Sequence, residues 1–163
     1  MAEVSDCDAR RIVDLYALLY LEKYSRLNAA FTQQFVRLTH RTGLIRYLVL
    51  LDQKGTIQGL AGMYQNGSHA TMPLMGHNTA LDQRLGLYRL AFHAGILYAA
   101  EHRLRPNMSS GATAFKRNRG ATPEIEYTAF HLRQLAWRRR LPFSTLSLVA
   151  REVGEPVLET YQL

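Results

Sequence analysis

Asn66-Gly67 is the strongest turn signal in the chain and limits its fold more than any other feature. A type I′ hairpin turn needs positive φ at both central positions, and Asn followed by Gly meets that demand with the least strain. The pair is flanked by "TIQGLAGMYQ" and "SHATMPLMG", which read as antiparallel strands. Upstream, "LIRYLVLLD" is short and aliphatic and ends in the turn sequence "DQKG", so it supplies a third strand. The result is an antiparallel meander over residues 44–76. Such a sheet has faces that must be covered. The cover comes from residues 86–104, where Leu87, Leu90, Ala91, Ala94, Leu97 and Tyr98 recur at helical spacing and Phe92 and Ile96 widen the apolar band.

The rest of the chain fits around this centre. Residues 8–24 predict an amphipathic helix through Ile12, Val13, Tyr16, Leu19 and Tyr20, capped by Asp6 or Asp8. Residues 29–41 predict a second helix with Phe31, Phe35 and Leu38 on one face, ending before Gly43. After the long helix come a short strand near "PNMSS" and a short basic helix. A strand at "EIEYTAF" follows, with Ile125, Tyr127 and Ala129 on one face. "HLRQLAWRRRL" and "FSTLSLVAREVG" read as helices and "PVLETYQL" as a final strand. The expectation is an α/β (α+β layered) fold with a mixed central sheet flanked by helices. At 163 residues, with no internal repeat or low-complexity linker, the chain is expected to form a single domain over 1–163.

The formal charge of +7 favours anionic partners, and arginine outnumbers lysine, which suits bidentate recognition of phosphate or carboxylate. A generally basic, solvated surface explains the charge equally well. Cys7 is the single cysteine, so a disulfide framework and a cysteine-rich zinc site are not expected, and a cytoplasmic location is. The six histidines show no ligand spacing, and no metal is expected. The opening "MAEVSDCDARR" lacks the apolar run of a secretory signal, and no stretch is apolar for long enough to span a bilayer.

"MGHNTALDQRLGLYRLAF" followed by "SSGATAFKRNRGATPEIEY", together with the order of elements, resembles the GNAT acyltransferases and in particular their Fem-like branch. The specific likeness covers residues 74–140. It implies the GNAT-like acyl-CoA N-acyltransferase fold and transfer of an acyl group from acyl-CoA or acetyl-CoA to a small-molecule or peptide amine. Two features depart from the pattern: residues 1–7 leave little room for a strand ahead of the first helix, and Fem-like proteins often carry two such domains in tandem. A fragment of a longer protein, or a single domain that pairs with a partner such as a second copy, would explain the latter.

The resemblance also implies a site. Gln83, Arg84 and Gly86 stand in the place of the pyrophosphate loop, where free N–H groups and the helix dipole favour phosphate oxygens. Tyr88 occupies a position that the motif reserves for a small residue; a capped helix start is the plainer reading. Lys116, in the Phe-Lys pair, is implied as the cation that stabilises an oxyanion, against a solvated basic helix. Glu126 is the preferred base, and Glu124 shares its face. Arg117, Arg119, His77, Asn78, Ser109 and Ser110 are candidates for holding substrate; helix capping, ion pairing and loop roles are the competing readings. The alternatives to an acyl-CoA enzyme are an aminoacyl-tRNA-dependent transferase and a non-catalytic module. "WRRR" at 137–140, with its tryptophan, suits RNA as well as a solvated face beside a helix end.

Overall fold

A computed structural model describes residues 4–109 and 113–161. The chain divides into two compact units, Met1–Ser109 and Ser110–Leu163.

The first unit holds the sheet. Its strands β1 (Ile45–Leu51), β2 (Ile57–Asn66), β3 (His69–His77) and β4 (Arg105–Asn107) lie in that order, antiparallel from β1 to β3 and parallel between β3 and β4. The meander is as the sequence predicts, but its turn is not. Asn66 pairs with His69, so the central residues are Gly67 and Ser68, and of these only Gly67 has positive φ, at 57°. That is the demand of a type II′ turn rather than type I′. A bulge interrupts the β2–β3 register between Gly62 and Tyr64 and sets Met72 and Pro73 against Met63. Pro73 fits there because a bulge releases it from donating to the ladder.

The bulge swaps the faces of β3. Ala70 and Met72 look toward one layer, while Leu74 and Gly76 look toward the other. Leu74 joins the larger core beneath α1 (Asp6–Ala17) and α2 (Gln33–Arg41), with Ile12, Leu15, Val36, Ile45, Ile57 and Leu60. Ser5 caps α1 through a capping box with Asp8, so the cap lies one residue before the expected Asp6. The helical path continues from α1 as a π-helical stretch, Leu18–Tyr24. Thr32 caps α2, and Gly43 follows its end at φ 69°.

The opposite face is covered by α3 (Leu87–Glu101). Its buried residues are Ala91, Phe92, Gly95 and Ala99, whereas Leu90 and Leu97 remain about half exposed, at 50% and 48%. The apolar band is therefore rotated from the expected one. Small residues bring the helix close to the sheet: a Cβ on Gly95 would lie 2.5 Å from Met72 Sδ and 3.1 Å from Met63 Sδ.

The second unit contains α4 (Thr113–Arg117), α5 (Trp137–Val149), a π-helical stretch Ala150–Gly154 and α6 (Glu155–Tyr161). Two expected strands are corrected. Residues 121–132 have no regular structure, and "PVLETYQL" opens as α6 instead. Alternation alone does not make a strand; it needs a neighbour to complete its ladder, and 121–132 have none. In α6, Pro156 follows directly on the π-helical stretch, from which the Glu155 N–H still reaches back to Ala150 O. The "WRRR" run begins α5 rather than ending a helix. Arg140 offsets its poor position on the dipole by donating to the carbonyls of Leu135 and Arg133, each at 2.6 Å.

Candidate functional site

The sheet opens at the C-terminal end of β3. The parallel pairing with β4 covers only His69–Thr71, and among the described residues no strand lies on that edge beside Met72–His77. Parallel strands that part in this way leave backbone N–H and C=O groups without a ladder partner. The chain then passes from His77 through a turn into α3, so the open edge and the start of that helix are adjoining in sequence and structure.

The turn is built by side chains. Asn78 donates its backbone N–H to Gln58 O at 2.9 Å and its amide N–H to Gln58 Oε1 at 2.9 Å, and its Oδ1 accepts from Ala80 N at 3.2 Å. Arg11 holds the same Gln58 Oε1 at 3.1 Å. Asn78, predicted to hold substrate, thus has both ends of its amide engaged in the turn. Asp82 accepts from Arg84 N at 2.8 Å and pairs with the Arg84 guanidinium at 3.0 Å, capping the short 3-10 turn Gln83–Leu85. These contacts hold the Asp82 carboxyl below its ordinary value, chiefly through the Arg84 N–H.

Gly86 then adopts φ 65°, and α3 starts directly after it with no side-chain cap. The first helical bond is Leu90 N to Gly86 O, which leaves the N–H groups of Leu87 and Arg89 without helical acceptors. A Cβ on Gly86 would meet Arg89 Nη2 at 3.0 Å and Nε at 3.1 Å, so the Arg89 guanidinium lies over the glycine. Of the two arginines near this helix start, the one named by the motif is paired to an acid. Arg89, not singled out in the sequence, sits at the bare N–H groups. Its signal was available: it follows Gly86 by three residues, close to one helical turn.

His77 ends β3 and meets Tyr88 edge-on, ring centroids 6.0 Å apart. Its Nδ1 is buried with no hydrogen-bond partner among the described residues. Burial, and then the charge of Lys23, hold the imidazole below its ordinary pKa of 6.5. Tyr20, stacked on Tyr16 at 4.8 Å and edge-on to Tyr24 at 5.8 Å, is pushed up to about 12 by burial and by Tyr88, Tyr16 and Tyr24. Tyr88 is raised mainly by burial. His77 was predicted to hold substrate, but the effect of Lys23 on it was not foreseen, because that residue comes from the π-helical stretch, distant in sequence.

Ser109 takes φ 57°, and its N–H donates to Asn107 Oδ1 at 2.6 Å; Ser110 lies outside the described residues. In the second unit Lys116 is buried, at 8% exposure, which lowers its ammonium pKa, while the nearby Glu126 carboxylate acts to raise it. Glu126 is itself exposed, in the irregular stretch. Arg119 folds back on α4, donating to Phe115 O at 2.8 Å with its guanidinium 3.6 Å over the Phe115 ring. Arg117 is exposed at the end of α4. Elsewhere, a groove of about 400 Å³ between Val4, Asp6 and α2 contains none of these residues. Among the described residues no helix is long and apolar enough to cross a membrane, and no three His, Cys, Asp or Glu residues group as metal ligands.

No family model and no curated protein matches the sequence. Solved structures do resemble the fold. A Trypanosoma brucei acetyltransferase aligns with TM-score 0.54 and 14% identity, covering 78% of this chain and 95% of its own. An aminoglycoside acetyltransferase from an uncultured soil metagenomic sample, in complex with trehalose, gives TM-score 0.54 and 16% identity over 80% and 90% of the two chains. The BH1408 protein of Bacillus halodurans gives TM-score 0.57 and 14% identity over 80% and 98%. The chain has the GNAT acetyltransferase fold, with a mixed four-stranded sheet flanked by helices.

Proposed function

We propose that the protein is an N-acyltransferase that moves an acetyl or related acyl group from acyl-CoA to a primary amine. The observation that carries this reading is the uncapped start of α3, entered through Gly86 with the Arg89 guanidinium over it, beside the open edge of β3. Backbone N–H groups, the positive helix end and a guanidinium together suit a pyrophosphate. The unpaired edge of Met72–His77 offers the amide-containing pantetheine arm the kind of bonds that a sheet edge offers a peptide. Gln83 and Arg84 shape the approach, with Arg84 available to phosphate when it leaves Asp82.

In the reaction, the amine nitrogen attacks the thioester carbonyl carbon and forms the C–N bond. The C–S bond then breaks, coenzyme A leaves as thiolate and is protonated, and one proton of the original ammonium passes to solvent. Charge develops on the carbonyl oxygen in the transition state. The Fem-like resemblance assigns Lys116 to that oxygen, since a fixed cation stabilises developing negative charge. The same resemblance assigns Glu126 as the base for the attacking amine.

A thermal-shift titration tests the reading. Acetyl-CoA at 100 times its Kd should add about 2.7 kcal/mol of stability. Arg89→Met should weaken its binding about tenfold. Lys116→Met should keep the shift and lower kcat by about a hundredfold. A chain that ignores every acyl-CoA but binds tRNA, with affinity falling steeply as salt rises, would instead support the Fem-like, aminoacyl-tRNA-dependent reading. The run of motifs over residues 74–140 is what keeps that second reading in view.

A further inference from the structure

The two outer edges of the sheet are built differently. At one, β4 is three residues long with Pro106 at its centre, and both features discourage a further strand. At the other, β1 runs for seven residues, IRYLVLL, with no proline or lysine and with Arg46 as its one charge. Its register shift against β2 comes from an added residue on β2, Gln58, so β1 itself is not bulged. Val49 and Leu51 remain 38% and 59% exposed.

One hydrogen bond sets the direction of the backbone along this edge. Asp52 donates its N–H to Thr56 O at 3.0 Å, so it faces the β2 side of the ladder. Successive residues of a strand turn their N–H and C=O groups to opposite sides, which points those of Tyr47, Val49 and Leu51 away from β2. Among the described residues no strand lies on that side. A long apolar edge with outward donors and acceptors is a template for another strand.

Charge decides which strand fits. When β1 is laid antiparallel on its own copy about Val49, Leu48 stands opposite Leu50, Tyr47 opposite Leu51, and Arg46 opposite Asp52. The outward-facing residues then oppose one another, as a ladder requires, and the Arg–Asp pair occurs at both ends of an apolar centre. The neighbouring registers of the same parity are worse. About Leu48, Arg46 faces Leu50 and Asp52 faces Leu44; about Leu50, Arg46 faces Lys54. The Asp52 carboxylate is already fixed at the strand end, accepting at Oδ1 from the N–H groups of Lys54 and Thr56 and at Oδ2 from Gln58 Nε2.

We propose that the outer edge of β1 is where two copies of this chain associate, their β1 strands pairing antiparallel about Val49 into one continuous sheet. The two-fold axis makes the contact self-complementary and closes it at two copies. The inference stands apart from the acyltransferase reading and survives its failure.

The experiment is sedimentation of the full chain over a concentration series. A strand edge is a modest interface, so a reversible monomer–dimer equilibrium is expected. Val49→Lys and Val49→Glu should each weaken the dimer about tenfold or more, because like charges then stand opposite each other at the axis. Mixed in equal amounts, the two variants should associate again as a Lys–Glu pair forms. Arg46→Glu, which sets acid against Asp52 at both ends, should also weaken the dimer about tenfold. Circular dichroism checks the fold of each variant, and Leu51→Lys, at a more exposed position, repeats the test should Val49 not tolerate charge. A native chain that stays monomeric at about 1 mM overturns the inference. So does a dimer that persists in both Val49 variants, or a pair of variants that do not recombine when mixed. An Arg46→Glu dimer as tight as the native one overturns the register about Val49.

Discussion

Gly76→Ala should be one of the most damaging single-methyl additions to the first unit. An added Cβ would stand 2.6 Å from Leu15 C, 2.7 Å from Leu15 O and 2.7 Å from Tyr16 N. Carbon atoms in favourable contact lie about 3.5–4.0 Å apart, so α1 would have to retreat by roughly 1 Å. None of the three atoms can rotate away, because all belong to the helix backbone. The same helix buries Ala9, Ile12, Leu15 and Tyr16, so its retreat would loosen the larger core along its whole inner face. Overpacking of this kind costs about 3 kcal/mol at the upper end of its usual range, a fall in Tm on the order of 10 °C.

Gly95→Ala provides the control. Its Cβ would meet Met72 Sδ at 2.5 Å, a shorter distance than any at Gly76. The obstacle here is the sulfur of a flexible side chain, which can change rotamer. Alanine also gains about 1 kcal/mol over glycine in a helix, so the net change should stay within about 1 kcal/mol. Urea unfolding of both variants decides the matter. A Gly95→Ala variant less stable than Gly76→Ala, or a Gly76→Ala change under about 0.5 kcal/mol, would refute the argument that backbone contact rather than bare distance sets the cost.

Two further predictions concern pH. His77 has a pKa below 6.5 in the folded chain, so from 6.5 down to that folded value the unfolded chain binds more protons. Stability should therefore fall as pH falls through that window and level off beneath it; urea midpoints from pH 5 to 7.5 should lose this slope in His77→Gln, and an unaltered slope would refute the assignment. Asp52 accepts from Gln58 Nε2 at 2.8 Å and from the N–H groups of Thr56 and Lys54, each at 2.9 Å, which hold its carboxyl below 3.8. Its contribution is present above the unfolded pKa and is lost as pH falls through the folded one, so Asp52→Asn should lower the unfolding midpoint at pH 7 and matter little near pH 2. An equal loss at both pH values would rule out the charge as the cause.

The meander and its helix were legible in the sequence because their signals are local. Alternation, a Gly-containing turn and a 3.6-residue period each report on neighbours a few positions away. The details that failed depend on distant neighbours. The apolar band of α3 was read through its leucines, yet the sheet receives Ala91, Gly95 and Ala99, because close approach favours small residues over large ones. "EIEYTAF" has the alternation of a strand and no sheet partner to make it one. The likeness to acyltransferases located the start of α3 correctly but drew attention to Arg84, whose charge is held by Asp82.

Tyr88 brings these levels together. It departs from the small residue that the loop motif favours, and by the motif alone it is an obstruction. In the fold its ring meets His77 edge-on, and it stands between Leu87 and Arg89, whose N–H groups have no helical acceptor. Burial holds its hydroxyl above the ordinary tyrosine value. The departure from the motif thus places an aromatic ring at the start of α3 against the histidine that ends β3.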